Sequence, residues 1–160
     1  MAPAPAPAKP TFFDLAAEHP LRILVAEDNP MNKMLILTVL TKLGYKADWA
    51  GDGRACVDRF AAGDYDLILM DVHMPEMDGL EATREIRARF EERPVAICAL
   101  TANASEEGRD ECLAAGMDDF ITKPLQVPKL LPVLRATRPI AEKARVGAGA
   151  AVESAAVAAV

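Results

Sequence analysis

Short apolar runs alternate with longer amphipathic stretches between residues 21 and 136. Turn-forming residues bound these runs, which lie at 23–26, 45–50, 67–70, 95–100 and 120–121. Brief apolar runs are typical of strands buried on both faces of a sheet, whereas the mixed second run suits a sheet edge. Strict alternation of strand and helix predicts an α/β fold with a doubly wound parallel sheet. Half of an eightfold barrel is the alternative, because about 115 residues cannot form a whole barrel.

Capping residues mark the predicted helices between these strands. Asn29-Pro30 is a good start for the first helix, with an N-cap followed by proline at the first helical position. Asp78 and Glu81 have the spacing of a capping box at the start of the third helix. Pro132 lies inside the fifth predicted helix, so we expect it to bend that helix or to delay its start.

The two ends of the chain differ in composition from the repeat. Residues 1–20 begin with alternating Ala and Pro, which join neither a helix nor a sheet, and we predict a linker or tail there. Within it, Phe12, Phe13 and Leu15 could pack on the domain or on a partner. The repeat itself predicts one domain at 21–136. Residues 137–160 are rich in Ala and lack large side chains, which predicts a disordered or weakly helical tail.

Composition narrows the classes of function. The net charge of −6 and the pI of about 5.0 argue against nucleic acid as a partner, since nucleic acid requires a basic face. Three cysteines without close pairs fit free thiols in a reducing cytosol. No apolar run approaches the ~20 residues of a membrane span, and no signal-peptide pattern is present at the N-terminus. We therefore expect a cytoplasmic protein that contacts no membrane.

Polar side chains follow four of the five predicted strands. Glu27 and Asp28 follow the first, Asp71 the third, Thr101 the fourth and Lys123 the fifth. The carboxyl ends of parallel strands share one sheet edge, so three carboxylates converge if the first and third strands are neighbours. Two unit charges ~4 Å apart repel by about 4 kcal/mol at an effective dielectric of 20. Such a cluster must protonate or hold a cation, and hard oxygen ligands of this kind suit Mg²⁺.

A cation, a lysine and a hydroxyl facing one aspartate form a site suited to phosphoryl transfer. Asp71 would be the nucleophile that forms an aspartyl phosphate, while Lys123 and the cation offset charge on the phosphoryl oxygens. Each residue also has a plain structural explanation. The acidic pair could interact with a helix dipole, Thr101 could cap a helix and Lys123 could be a solvated lysine. The occurrence of all five polar residues at the strand ends, in order along the chain, favours the phosphoryl-transfer site.

Four stretches of the sequence resemble the receiver domain of the two-component response-regulator family. The resemblance covers about residues 21–136, and as a set the motifs are highly specific. They are Ile23-Leu24-Val25-Ala26-Glu27-Asp28-Asn29, Leu69-Met70-Asp71-Val72-His73-Met74-Pro75-Glu76-Met77-Asp78-Gly79, Ala99-Leu100-Thr101-Ala102 and Asp119-Phe120-Ile121-Thr122-Lys123-Pro124-Leu125. This resemblance implies a flavodoxin-like (βα)5 fold with five strands in the order 2-1-3-4-5.

The resemblance also implies roles for the acidic residues. Asp71 would accept a phosphoryl group from a histidine kinase or a histidine phosphotransfer protein. Mg²⁺ would be held by Asp28, Asp71 and the backbone carbonyl of His73, with Glu27 acting mainly through water. The chain would then be a signalling domain that catalyses only its own phosphorylation and dephosphorylation.

Further residues match the positions that carry the conformational switch in this family. Thr101 would move to bond the phosphoryl group, Lys123 would pair with it and Phe120 would turn inward. The peptide between Lys123 and Pro124 would be cis. Output would pass to a downstream protein through the surface of the fourth helix, fifth strand and fifth helix, by a shift between two pre-existing states.

We expect the positions two residues after Asp71 and two residues after Thr101 to lie over the same site. They hold His73 and Asn103, and we expect both side chains to tune the lifetime of the phosphate.

Two rival classes and two contexts stay open. A phosphatase of the haloacid-dehalogenase class also forms an aspartyl phosphate, but it expects a second aspartate two residues after the first, where this chain has His73. A receiver-like interaction module that is never phosphorylated would not need the complete acidic set. No glycine-rich ATP-binding box and no output domain are present, and His19 before Pro20 is a poor phosphodonor. A receiver from a hybrid sensor kinase is slightly favoured over a stand-alone regulator.

Overall fold

The computed structural model describes residues 15–102 and 105–139, which form five parallel strands flanked by helices. The strand order is β2-β1-β3-β4-β5, so the doubly wound fold and its order are confirmed. β2 lies at an edge of the sheet, as its mixed sequence predicted. The strands are β1 (Ile23–Ala26), β2 (Ala47–Ala50), β3 (Leu67–Asp71), β4 (Ala96–Thr101) and β5 (Asp119–Thr122).

The register of the sheet places the carboxyl ends of the strands level with one another. Ala26, the last residue of β1, lies opposite Ala50 on one side and Met70 on the other. Asp71 lies opposite Leu100, and Thr101 lies opposite Thr122. Each candidate residue therefore follows its strand onto the same edge of the sheet.

Six helices connect and flank the strands in the described part of the chain. Capping residues begin them where the sequence predicted: Asn29 accepts from two backbone N–H groups, and Asp78 and Glu81 form a complete capping box. Of the two outcomes expected for Pro132, the delayed start is wrong, because the last helix starts at Val127 and contains the proline. The bend stays a prediction. The helices are α1 (Leu15–Glu18), α2 (Pro30–Lys42), α3 (Gly53–Ala62), α4 (Gly79–Arg89), α5 (Glu106–Ala115) and α6 (Val127–Ala136).

The sheet is covered on both faces by separate apolar clusters. Successive residues of a strand point to opposite faces. In β1, Leu24 therefore packs in the cluster on one face and Ile23 in the cluster on the other. β3 shows the same alternation and is fully buried, as its continuous apolar run predicted. Because β1 and β3 are buried on both faces, the residues at their carboxyl ends lie at the edge of a packed sheet.

Helix α1 falls inside the segment that we assigned to the linker, yet it packs on the domain. Leu15 is 2% exposed and lies in one of the two apolar clusters. The Tyr45 hydroxyl donates to the carbonyl of His19 at 2.7 Å, and Nε2 of His19 lies 2.5 Å from the Thr137 carbonyl. The folded unit therefore includes residues before 21. The rest of the predicted N-terminal linker, most of the C-terminal tail and Asn103 lie outside the described residues.

No helix in the described ranges has the length and apolar character needed to cross a membrane.

Candidate functional site

Three carboxylates meet at the carboxyl edge of the sheet, as the sequence predicted. One oxygen from each of Glu27, Asp28 and Asp71 lies within 4.8 Å of the other two. Glu27 is fully buried and Asp71 is 2% exposed, whereas Asp28 is exposed to solvent. The cluster is therefore walled by protein on one side and open to solvent on the side of Asp28.

Lys123 brings a positive charge from β5 to this cluster. Its Nζ donates to Oδ1 of Asp71 at 3.0 Å and lies 3.4 Å from Oε1 of Glu27. The backbone N–H of Lys123 donates to the carbonyl of Thr101 at 2.8 Å, which ties the end of β5 to the end of β4. The peptide between Lys123 and Pro124 is cis, as the resemblance implied.

The charges of the cluster shift two pKa values. Burial, followed by the negative charge of Asp71, raises the pKa of the Glu27 carboxyl above its usual 4.5. Burial alone would lower the pKa of Lys123, but the hydrogen bond and charge of Asp71, with the charge of Glu27, raise it. Lys123 therefore stays protonated, and a single ammonium faces three acidic groups.

The buried oxygens of Glu27 fit a site that holds a cation. Oε2 accepts from the backbone N–H of Asn29 at 3.2 Å and from Nδ2 of Asn32 at 3.5 Å. Oε1 is buried and accepts no hydrogen bond from any residue that the structure describes, although Lys123 is at ion-pair distance. Buried polar atoms normally have a partner, because an unmade hydrogen bond costs about 1 to 3 kcal/mol. An unpartnered carboxylate oxygen among three acids suits Mg²⁺, which prefers hard oxygen ligands.

The loop after β3 shapes the backbone around Asp71. The backbone N–H of His73 donates to Oδ1 of Asp71 at 3.2 Å. Gly79 returns the chain to the strand end, where its N–H donates to the Val72 carbonyl at 2.9 Å. A Cβ at Gly79 would lie 2.2 Å from the carbonyl oxygen of Asp71, so only glycine allows this close approach.

The remaining predicted site residues lie around this edge. Thr101 is buried at the end of β4. His73, two residues after Asp71, is exposed. Phe120 is half-buried on β5, and the Arg109 guanidinium lies 5.0 Å from the centre of its ring. Asn103 lies outside the described residues.

Two residues of the site were not predicted from the sequence. Asn32 contacts the Glu27 carboxylate, and Trp49 donates from its indole Nε1 to the Glu27 carbonyl at 2.8 Å. The available signal was weak in both cases. Asn32 lies in the first turn of the helix that follows the acidic pair. Trp49 is the only aromatic residue of β2, an edge strand of mixed sequence.

Comparison with known proteins agrees with this geometry. Residues 23–135 match the family described as "Response regulator receiver domain", so the chain belongs to this family. A solved receiver domain, that of the sensor histidine kinase PA1611 from Pseudomonas aeruginosa, has a magnesium ion coordinated in its active site cleft. It is 44% identical with a TM-score of 0.67, over 72% of this chain and 94% of that chain.

Two further relatives come from fungi. One is in the co-crystal structure of the Saccharomyces cerevisiae histidine phosphotransfer protein Ypd1 with the receiver domain of the response regulator Ssk1. That similarity has a TM-score of 0.66 and 31% identity over 71% of this chain and 86% of that chain. Histidine protein kinase 1 of Candida albicans is 44% identical over 132 residues, which are 76% of this chain and 5% of that protein. The chain thus spans a small part of such curated relatives.

Proposed function

We propose that the domain is the phosphoacceptor of a two-component phosphorelay and that Asp71 is the residue phosphorylated. One observation carries this proposal: two carboxylates, those of Glu27 and Asp28, and the ammonium of Lys123 converge on Asp71 at the carboxyl edge of the sheet. Asp71 is buried but lies next to the exposed Asp28, so a phosphodonor can reach it from that side. The burial keeps competing water away from the other side.

The reaction is the transfer of one phosphoryl group between two side chains. A carboxylate oxygen of Asp71 attacks phosphorus, and the bond between phosphorus and the nitrogen of a phosphohistidine breaks. The leaving imidazole keeps the electron pair and takes up a proton from solvent. Lys123, which pairs with Asp71 in the free protein, then pairs with the phosphoryl oxygens. The Thr101 hydroxyl bonds the phosphoryl group from the end of β4.

Mg²⁺ would be held by Asp28, Asp71 and the backbone carbonyl of His73, with Glu27 bound through water. When bound, it supplies positive charge that offsets the negative charge of the phosphoryl oxygens and the carboxylates. The magnesium in the similar receiver of PA1611 and the unpartnered Oε1 of Glu27 support this assignment.

The exposed face of α2 is the docking surface that we propose for the phosphodonor. Met31 and Met34 are 81% and 65% exposed, and Leu35 is 39% exposed. Neighbouring apolar side chains on the surface mark interaction sites. The same helix carries Asn32, which contacts the Glu27 carboxylate, so a partner seated on α2 lies beside the acidic cluster. The donor would be a histidine kinase or a histidine phosphotransfer protein, the kind of partner that Ypd1 is for Ssk1.

Output from the phosphorylated domain would use the opposite side of the site. Thr101 moves toward the phosphoryl group, Phe120 turns inward, and the surface of α5, β5 and α6 changes its population between two states. A downstream protein would read that surface. The exposed His73 side chain next to Asp71, together with Asn103, would tune the phosphate lifetime. The context that we favour is a receiver within a hybrid sensor kinase, and the phosphorylation and dephosphorylation would be catalysed by the domain itself.

Incubation with Mg²⁺ and acetyl phosphate tests the phosphoacceptor. We expect intact-mass spectrometry to show one added phosphoryl group on the wild-type protein and none on Asp71→Asn. EDTA should prevent the addition in the wild type. Phosphate on the Asp71→Asn variant, or no phosphate on the wild type, contradicts the proposal. Rapid turnover of unrelated phosphomonoesters would instead favour a phosphatase.

A charge on α2 tests the docking surface. Met34→Glu should slow phosphoryl transfer from a phosphotransfer protein by at least about tenfold, while phosphorylation of the same variant by acetyl phosphate keeps the wild-type rate. The reason is that loss of a central apolar contact costs about 2 kcal/mol or more of binding free energy. Leu113→Glu is a matched control, because Leu113 is 50% exposed on α5. Equal slowing by both variants would contradict docking on α2.

A further inference from the structure

Trp49, the only tryptophan of the chain, contacts the backbone beside the candidate metal ligands. Its indole Nε1 donates to the carbonyl of Glu27 at 2.8 Å. The N–H of Glu27 donates to the carbonyl of Ala50, the next residue of β2, at 3.1 Å. The edge strand therefore holds Glu27 twice, once through its main chain and once through a side chain.

The hydrogen bond from the indole N–H orients the backbone from which the Asp28 side chain projects. The carbonyl of Glu27 belongs to the peptide unit that joins Glu27 to Asp28, and this unit is planar. Holding the carbonyl oxygen therefore also orients the N–H and Cα of Asp28. Asp28 is exposed, so burial does not hold its carboxylate in place. Its position beside Glu27 and Asp71 depends on the backbone from which it projects.

A side chain makes this contact because the strand pairing ends too early for the main chain to make it. Pairing between β1 and β2 ends at Ala26 opposite Ala50, one residue before Glu27. The chain then turns away at Gly51, and the indole ring lies against that residue: a Cβ there would be 3.4 Å from Cζ2 of the ring. Nζ of Lys33, a residue of α2, lies 3.8 Å from the centre of the Trp49 ring. These contacts hold a ring that is 37% exposed.

We propose that Trp49 is a positioning residue for the metal site, because its indole N–H fixes the Glu27–Asp28 peptide. This inference rests on the magnesium site of the proposed function. Without the bond, the peptide unit rotates more freely and the Asp28 carboxylate must be ordered when the ion binds. Loss of one neutral hydrogen bond corresponds to about a threefold to tenfold change in an equilibrium constant. We therefore expect Trp49→Phe, which keeps a ring but lacks the donor, to weaken Mg²⁺ binding by that factor.

A second variant separates metal positioning from general loosening of β2. Tyr65→Phe removes a hydroxyl that donates to Asp48, the neighbour of Trp49 on the same strand. Both variants lose one hydrogen bond that involves a side chain of β2, so both should lower the free energy of unfolding in urea with EDTA present. Only Trp49→Phe should raise the dissociation constant for Mg²⁺ measured by titration calorimetry. Equal weakening by both variants overturns the proposal.

An isostere at position 49 isolates the N–H group itself. Replacement of Trp49 by 3-benzothienylalanine exchanges the N–H for sulfur and keeps the area of the ring, so it should weaken Mg²⁺ binding as much as Trp49→Phe does. Wild-type affinity in the isostere overturns the proposal, even if Trp49→Phe folds poorly. Asp28→Asn is the reference for loss of the site. If it binds Mg²⁺ as the wild type does, the proposed metal site itself is wrong and this inference fails with it.

Discussion

Glu76, five residues after Asp71, has a backbone conformation that favours glycine. Its φ is +69°, and the N–H of Met77 donates to the carbonyl of Pro75 at 2.7 Å, which closes a tight turn centred on Glu76. A residue with a Cβ is destabilised by roughly 1 to 2 kcal/mol in the left-handed region. Glycine avoids this strain, but on folding it loses about 0.5 to 1 kcal/mol more conformational entropy than alanine does. Glu76→Gly should therefore raise the free energy of unfolding by about 0.5 kcal/mol.

Urea unfolding of a pair of variants measures this strain. Glu76→Ala removes the same exposed side chain and charge but keeps a Cβ, so it should stay within about 0.5 kcal/mol of the wild type and below Glu76→Gly. If the alanine and glycine variants are equally stable, the conformation of residue 76 is not strained.

Position along the chain was enough to predict that Asp71 and Lys123 meet at one edge of the sheet, since each comes at the end of an apolar strand and parallel strands end on the same edge. The contacts of Trp49 and Asn32 could not be predicted in this way. Both residues bond to Glu27 from neighbouring elements, and those bonds depend on how β2 and α2 are placed on β1. The orphaned Oε1 of Glu27 is likewise a property of the assembled site, since Lys123 comes close to it without donating a hydrogen bond.

At the scale of elements, α1 is fastened to the domain by Tyr45. This side chain is 3% exposed, its hydroxyl donates to the His19 carbonyl, and burial raises its pKa from 10.0 to about 12. A raised pKa means that the unfolded chain loses the proton first, so stability falls as the pH rises from about 10 to about 12. Two pKa units correspond to about 2 to 3 kcal/mol. Over this pH range the free energy of unfolding of the wild type should therefore fall by that much more than that of Tyr45→Phe.

Urea unfolding of both proteins from about pH 9 to about pH 12 tests the role of the tyrosine. At the lower pH, Tyr45→Phe should be less stable by about 1 kcal/mol, because it lacks the bond to His19. At the higher pH the order should reverse. Ionisation of the buried cysteines is common to both proteins and cancels in the difference. Parallel curves across the whole range would show that Tyr45 does not carry this dependence.

The five strands and the capped helices follow from local patterns, but α1 does not. A helix of four residues is too short to be stable by itself, and too short to show a helical repeat in its sequence. It exists because Leu15 is buried and because Ala16, through its backbone N–H, bonds to the Leu43 carbonyl. Local pattern alone therefore gives no reason to extend the predicted domain to residues before 21. Pro132 is the converse case, because α6 starts at Val127 although the proline is a local signal for a bend or a later start.

For the whole molecule, the acidic site opposes stability in the absence of a cation. Burial and the charge of Asp71 raise the pKa of Glu27, so its ionised form destabilises the folded protein. This penalty is absent below the usual pKa of 4.5 and grows as the pH rises through the raised value. Glu27→Gln removes the charge. In EDTA at neutral pH it should be more stable than the wild type by about 0.5 to 2 kcal/mol, the usual gain when a strained functional site is relieved.

Magnesium should reverse this order, because the same charge that destabilises the empty site binds the ion. A ligand at one hundred times its dissociation constant stabilises a protein by about 2.7 kcal/mol, and the wild type should gain more from Mg²⁺ than Glu27→Gln. Thermal unfolding in EDTA and in excess Mg²⁺ measures both effects. Asp110→Asn on the exposed face of α5 carries the same change in net charge and should show neither effect. If Glu27→Gln is less stable than the wild type in EDTA at every pH, then Lys123 compensates the buried carboxylate and the cluster has no need of a cation.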